Sequence, residues 1–267
     1  MVISAIRVKQ VVQIVIKIIA GSNQYGALGL PYTFNVSTSS NTFLWYLKAF
    51  RPLNLNATNI SRVSIGTAVS GSSYIVMDDG SLLVAGNNSY GQLGVGHNNN
   101  VSSWTTIPGP WSYVEGGNSY AIGLSGNNLY STGRNDLGQL GTKNNTNYNS
   151  WQKVGNNIFK ISASSFSKTT LVSDVFGGVS ATGDNSYGQL GLGNNTNINY
   201  LSSVNTISQI PIIFNKIIAG ESSFINDIEG NWYACGKNNL GQLGLGDTLP
   251  RNTFTSLTGE WLDIAML

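Results

Sequence analysis

One cysteine and one histidine occur in 267 residues, and that scarcity removes whole classes of function. With Cys235 alone, no intramolecular disulfide can form. A Ser-His-Asp triad or a histidine-based metal site would have to use His97, which lies in the polar run Gly96-His97-Asn98-Asn99-Asn100. Charge is equally thin: 10% of residues are charged, against roughly 25% in an average domain. The net charge is +2, and no Lys/Arg block is present. Nucleic-acid binding would show a basic stripe or tail, so no nucleic-acid partner is expected. Long apolar runs are missing too. Residues 1–19 are rich in Val and Ile, but Arg7, Lys9, Gln10, Gln13 and Lys17 interrupt them. No stretch reaches the roughly 18 residues of a membrane helix, and no continuous signal-peptide centre remains. A cytoplasmic chain is expected, with the nucleus as the alternative.

What is abundant is glycine, 32 residues, much of it in one recurring phrase. Four copies read Gly86-x-Asn88-x-x-Gly91-Gln92-Leu93-Gly94, Gly133-x-Asn135-x-x-Gly138-Gln139-Leu140-Gly141, Gly183-x-Asn185-x-x-Gly188-Gln189-Leu190-Gly191 and Gly236-x-Asn238-x-x-Gly241-Gln242-Leu243-Gly244. A weaker copy spans Gly21 to Gly29. Successive first glycines stand 65, 47, 50 and 53 residues apart. A period near fifty marks an array of supersecondary units that bury their apolar faces only against one another.

Each unit reads as four short strands. In one unit these are residues 63–65, 73–77, 81–85 and 103–107, with the hairpin signal Asp79-Gly80 in the middle. The expected fold is all-β, a β-propeller of four-stranded antiparallel blades. The chain reads as one domain, 1–267, with a divergent insert at about 31–59. The final segment, 260–265, resembles the opening strand of a unit, and residues 4–8 and 15–21 resemble second and third strands. Five blades are therefore expected, the C-terminal strand completing the N-terminal blade; the alternative is a fragment of a seven-bladed ring. The one helical spacing lies at residues 42–50, through Leu44, Trp45, Leu47 and Phe50.

Within the phrase, the first glycine should end a strand where another backbone comes close. The second and third should adopt positive φ. The Asn should bond backbone in its own turn, the Gln should satisfy backbone groups, and the Leu should plug the junction between blades. A phosphate-binding role is disfavoured, because strands flank the phrase on both sides and no helix follows. The loops carry one carboxylate at most, too few for calcium. No acidic pair stands out as an acid/base couple, so neither catalysis nor a cofactor nor a metal is expected.

These phrases resemble the repeats of the regulator of chromosome condensation family. The fuller form, ending Gly-x-Gly, stands at Gly86–Gly96, Gly183–Gly193 and Gly236–Gly246, and Lys143 replaces the last glycine in the remaining copy. The hairpin half of the family repeat is visible at Ile218-Ala-Gly220, Ser223-Phe-Ile225 and Glu229-Gly230. Residues 60–267 carry the likeness well, residues 1–59 loosely. Family rings usually have seven blades, and the family's second-strand histidine is replaced here by Tyr74, Tyr120 and Phe224. The resemblance implies a propeller and, by analogy with the founding member, nucleotide exchange on a small GTPase. No exchange residue can be carried over position by position.

The leading expectation is a non-catalytic, monomeric protein-interaction scaffold. Guanine-nucleotide exchange is the alternative, and a secreted lectin-like or adhesive propeller a weaker one. The candidate partner-binding loop holds Phe43, Trp45, Tyr46, Phe50 and Arg51, residue types that interface hot spots favour. The loops leading to Trp104 and Trp151 come second.

Overall fold

Four four-stranded antiparallel sheets, one per complete glycine phrase, form the body of the computed structural model. The structure describes residues 71–264 apart from 165 and 205–213, together with the strands Ile18–Ser22, Tyr46–Pro52 and Ile60–Ile65. A two-stranded sheet comes first, β1 (Ile18–Ser22) with β2 (Tyr46–Pro52). Sheet one is β3 (Ile60–Ile65), β4 (Ser72–Met77), β5 (Leu82–Gly86) and β6 (Val101–Ile107). Sheet two is β7 (Trp111–Gly116), β8 (Tyr120–Ser125), β9 (Asn128–Gly133) and β10 (Tyr148–Gly155). Sheet three is β11 (Ile158–Ala163), β12 (Thr169–Asp174), β13 (Val179–Gly183) and β14 (Ile198–Ser203). Sheet four is β15 (Phe214–Ile218), β16 (Ser222–Asp227), β17 (Trp232–Gly236) and β18 (Arg251–Ser256).

Within each sheet, strands pair in chain order. The first strands lie side by side, β7 against β3 and β11, and β15 against β11. They form the inner edges, and the fourth strands lie outermost. The second strands are buried on both faces almost throughout, their Ser, Thr and Asn residues included, whereas β6, β10 and β14 alternate half-buried and exposed residues.

The third and fourth strands share one irregularity in every sheet. In sheet two, Gly133 pairs with Tyr148 and Ser131 with Gln152, so two residues of β9 oppose four of β10. The same skip occurs between Gly86↔Val101 and Val84↔Thr105, Gly183↔Ile198 and Ala181↔Ser202, and Gly236↔Arg251 and Ala234↔Thr255. A bulge of this kind takes the outer strand's backbone off its own ladder and leaves it to bond elsewhere.

The core lies between sheets. Leu93 joins Tyr74, Val76, Leu82 and Val84 of its own sheet to Trp111, Val114 and Ala121 of the next. Leu140 bridges sheets two and three, and Leu190 sheets three and four. Leu243 packs with Phe224, Trp232 and the half-buried Leu257 and Ile264.

Two expectations are corrected. The helical spacing at 42–50 does not give a helix over its described part: Tyr46–Pro52 is a strand paired with β1 from Ser22↔Tyr46 to Ile18↔Pro52. Ladder hydrogen bonds outweigh a spacing that so short an apolar run satisfies in either conformation. The expected C-terminal strand is not formed over 260–264. That segment runs irregularly along sheet four, where the Trp261 carbonyl accepts a bond from Trp232 Nε1 (3.1 Å) and Asp263 pairs with Lys216 of β15. Residues 4–8 and most of the weak phrase, 23–29, lie outside the described residues.

Candidate functional site

Each glycine phrase folds into the same loop between a third and a fourth strand, and one asparagine organises it. Asn88 Oδ1 accepts from Leu93 N (2.9 Å), and its Nδ2 donates to the His97 carbonyl (2.6 Å). Asn135, Asn185 and Asn238 repeat this with Leu140, Leu190 and Leu243 as donors at 3.0, 3.0 and 2.9 Å. The glutamine two places after the loop-tip residue takes that residue's N–H. Gln92 Oε1 accepts from Tyr90, Gln139 from Leu137, Gln189 from Tyr187 and Gln242 from Leu240, at 2.8–3.0 Å. A second asparagine also contributes: the Oδ1 atoms of Asn100, Asn147 and Asn197 accept from the backbone N–H of Asn88, Asn135 and Asn185. Pro250 stands at that place in the fourth loop and has no such group.

The glycines set how closely sheets approach. A Cβ on Gly91 would stand 2.4 Å from Cα of Asn149; on Gly138, 2.4 Å from Cα of Asn199; on Gly188, 2.5 Å from Cα of Asn252. All three have positive φ, 80–85°. Two residues beyond the third glycine, the loop bonds the bulged outer strand of the next sheet. Gly96 N donates to the Asn149 carbonyl (2.7 Å), Lys143 N to Asn199 (2.6 Å) and Gly193 N to Asn252 (2.7 Å). Thr132 and Thr182 hydroxyls reach across to the Gly91 and Gly138 carbonyls, at 2.9 and 2.8 Å. The loops are therefore both hinge pins and a display surface.

The displayed residues are those around each second glycine, on the face that also carries the links between first and second strands. Tyr90, Leu137, Tyr187 and Leu240 occupy the same loop position in successive sheets. The residue after the first glycine of the following loop stacks on the tyrosines. The Arg134 guanidinium lies 4.9 Å from the Tyr90 ring centre, and Lys237 Nζ 5.0 Å from that of Tyr187. Asp136 takes both Lys168 (2.7 Å) and Arg134 (2.8 Å). Partial burial pushes the Asp136 carboxyl up, but bonds from Lys168, Gln139 and Arg134 outweigh it and hold its pKa below the usual range. Lys237 pairs with Glu221 (2.6 Å), which raises the ammonium pKa. Phe166 and Leu240 are 67% and 86% exposed beside this array.

Other candidates fall elsewhere. Phe43 and Trp45 lie outside the described residues, while Tyr46, Phe50 and Arg51 belong to strand β2. Trp151 is half-buried against Trp111, ring centres 4.7 Å apart, and Trp104 packs on Ile75, Met77 and Leu83. His97 is exposed. Cys235 is buried in β17, where burial raises its thiol pKa well above the ordinary value. Among the described residues no cluster of His, Cys, Asp or Glu could hold a metal, and no helix is long and apolar enough to cross a membrane. The stacked tyrosine–cation pairs were missed from the sequence, although the Ser-Tyr, Asp-Leu, Ser-Tyr, Asn-Leu series before the second glycines was their signal.

No protein-family model and no curated protein matches the chain. Solved structures do. Human WBSCR16 superposes with a TM-score of 0.73 at 20% identity, over 91% of this chain and 63% of that one. Prp20p from Saccharomyces cerevisiae gives 0.69 at 16% identity, over 82% and 57%. Yeast RCC1 bound to Kap60 gives 0.69 at 16%, over 83% and 55%. The fold is that of the RCC1-type propellers. The chain spans between 55% and 63% of the lengths of these structures.

Proposed function

We propose that the chain is a non-catalytic protein-interaction platform whose partner docks on the face formed by the glycine loops. The observation that carries this reading is the stacking of Arg134 on Tyr90 and of Lys237 on Tyr187, each pair spanning two loops. Tyr and Arg held rigidly at a surface are what binding hot spots favour, because little side-chain freedom is lost when they are covered. Exposed Leu240 and Phe166 add apolar area beside them. Fold-level analogy points the same way. Prp20p is described with its binding to Gsp1p and histones, and yeast RCC1 was solved with Kap60 bound. A small GTPase is one partner class such a face would serve. The scaffold reads as five units: the four sheets, and a fifth containing β1 and β2, with residues 261–264 leading into it beside β15.

The test is affinity capture with wild type and with the double variant Tyr90→Ala/Tyr187→Ala, read by mass spectrometry. A partner held by wild type and lost by the variant, with melting unchanged, supports the reading. Equal recovery by both excludes this face.

A further inference from the structure

Three of the four loops are covered by the outer strand of the next sheet, and among the described residues no strand covers the fourth. Gln92, Gln139 and Gln189 are fully buried, whereas Gln242 is exposed. Asn149, Asn199 and Asn252 crowd the second glycines of the first three loops. The nearest described atom to a Cβ on Gly241 is the Asp247 carbonyl oxygen of its own loop, at 3.7 Å. Yet the fourth loop is built like the others, with Asn238 and Gln242 in the same internal bonds. It is one half of a junction.

The chain also contains a strand pair with the matching half. In β1–β2, Gly21 pairs with Leu47 and Ile19 with Arg51: two residues oppose four, as in all the complete sheets. Gly21 is moreover the first glycine of the weak phrase, as Gly133 is of its own. Leu47 thus holds the register position of Tyr148, Ile198 and Arg251, and Lys48 that of Asn149, Asn199 and Asn252. Ala49 holds the position of Ser150, Tyr200 and Thr253, which form bridges to Val95, Thr142 and Leu192 of the preceding loops. Phe50 holds that of Trp151, Leu201 and Phe254. The residue after the third glycine makes each bridge, and in the fourth loop that residue is Leu245.

We propose that β2 of this same chain covers the fourth loop. Leu245 pairs antiparallel with Ala49, the Gly246 N–H donates to the Lys48 carbonyl, and the ring closes between sheet four and the β1–β2 sheet. The proposal rests on the five-unit reading above. It assigns to β2 a part in the scaffold, in a segment that looks like an insert in the sequence.

Cysteine pairing tests it. Paired residues of an antiparallel ladder stand about 4.5–5.5 Å apart at Cα, a span a disulfide bridges. In a Cys235→Ala background, Val95→Cys/Ser150→Cys serves as the reference. Leu245→Cys/Ala49→Cys is the test, and Leu245→Cys/Lys48→Cys is its neighbour one residue out of register. All are oxidised gently, then read by non-reducing electrophoresis and peptide mass spectrometry, with melting curves to confirm folding. The expected result is an intramolecular bridge in the test pair at a rate within about threefold of the reference, and a much slower one out of register. No bridge where the reference forms one overturns the proposal. So do bridges only between chains, which would make a second copy the occupant, or equal rates in both registers. Failure here with partner capture intact would overturn closure and leave the platform standing; loss of capture with a normal bridge would do the reverse.

Discussion

The guanidinium of Arg134 lies over the ring of Tyr90, although the two residues belong to different sheets. Arg134 follows the first glycine of its own loop, and that glycine's Cβ position is 3.0 Å from Cα of Gln92 in the loop before. The close approach of two backbones thus places the cation on the neighbouring ring. At an exposed site such a pair contributes about 0.5–1 kcal/mol. Arg134→Ala should lower Tm by no more than about 4 °C, because Lys168 still holds Asp136. Thermal melts check this; a much larger fall would mean that Arg134 holds the fold rather than the surface.

Two glycines with left-handed φ separate strain from crowding. Gly126 sits in a hairpin with open space where a Cβ would go, and Gly138 stands against the backbone of Asn199. Gly126→Ala should cost about 1 kcal/mol, for φ alone. Gly138→Ala adds overpacking and should cost about 2–4 kcal/mol. Equal effects in denaturant melts would contradict the account of the junction.

Much of this was legible in the sequence, for physical reasons. Gly91, Gly138 and Gly188 recur because no other residue tolerates both their φ and their neighbours, and so rigid a demand leaves a visible period. The leucines recur because each fills one gap between sheets. Asn100, Asn147 and Asn197 also recur, but in loops so rich in asparagine that their bonds back to the start of the same loop do not stand out. The register of β2, which matches that of the outer strands, was hidden because it appears only when β2 is paired with β1. The Tyr–cation pairs were hidden because they join separate repeats.

Among the described residues the buried Nε2 atoms of Gln92 and Gln189 have no partner, whereas Gln139 donates to Asp136 (3.3 Å) and Gln242 to Asn239 (3.2 Å). The difference is Ser89 and Ser186 at the place of Asp136 and Asn239. Ser89→Asn and Ser186→Asn supply the missing acceptor and should each stabilise the fold by about 1 kcal/mol. Chemical denaturation measures it, and a loss of stability in both would refute the assignment.

Glu115 of β7 is buried, and burial raises its pKa despite bonds from the Tyr113 hydroxyl and from Ala163 N (2.8 Å). A carboxyl whose folded pKa lies above its unfolded value stabilises fully below the ordinary value of 4.5. That contribution is lost as pH rises through the raised value. Glu115→Gln does not ionise, so its Tm relative to wild type should climb as pH goes from about 4 to 8. A flat difference across that range would show that Glu115 does not titrate in the way its burial requires.

The central claim is that the glycine-loop face, rather than the opposite hairpin face, receives a protein. Photo-crosslinking in cells tests it most directly, with benzoylphenylalanine placed singly at Tyr187 and Leu240 on the first face and at Phe176 and Ile228 on the second. Covalent adducts to one protein from Tyr187 and Leu240, and none from Phe176 or Ile228, are the predicted result. Adducts from Phe176 and Ile228 alone, or from none of the four, would contradict it.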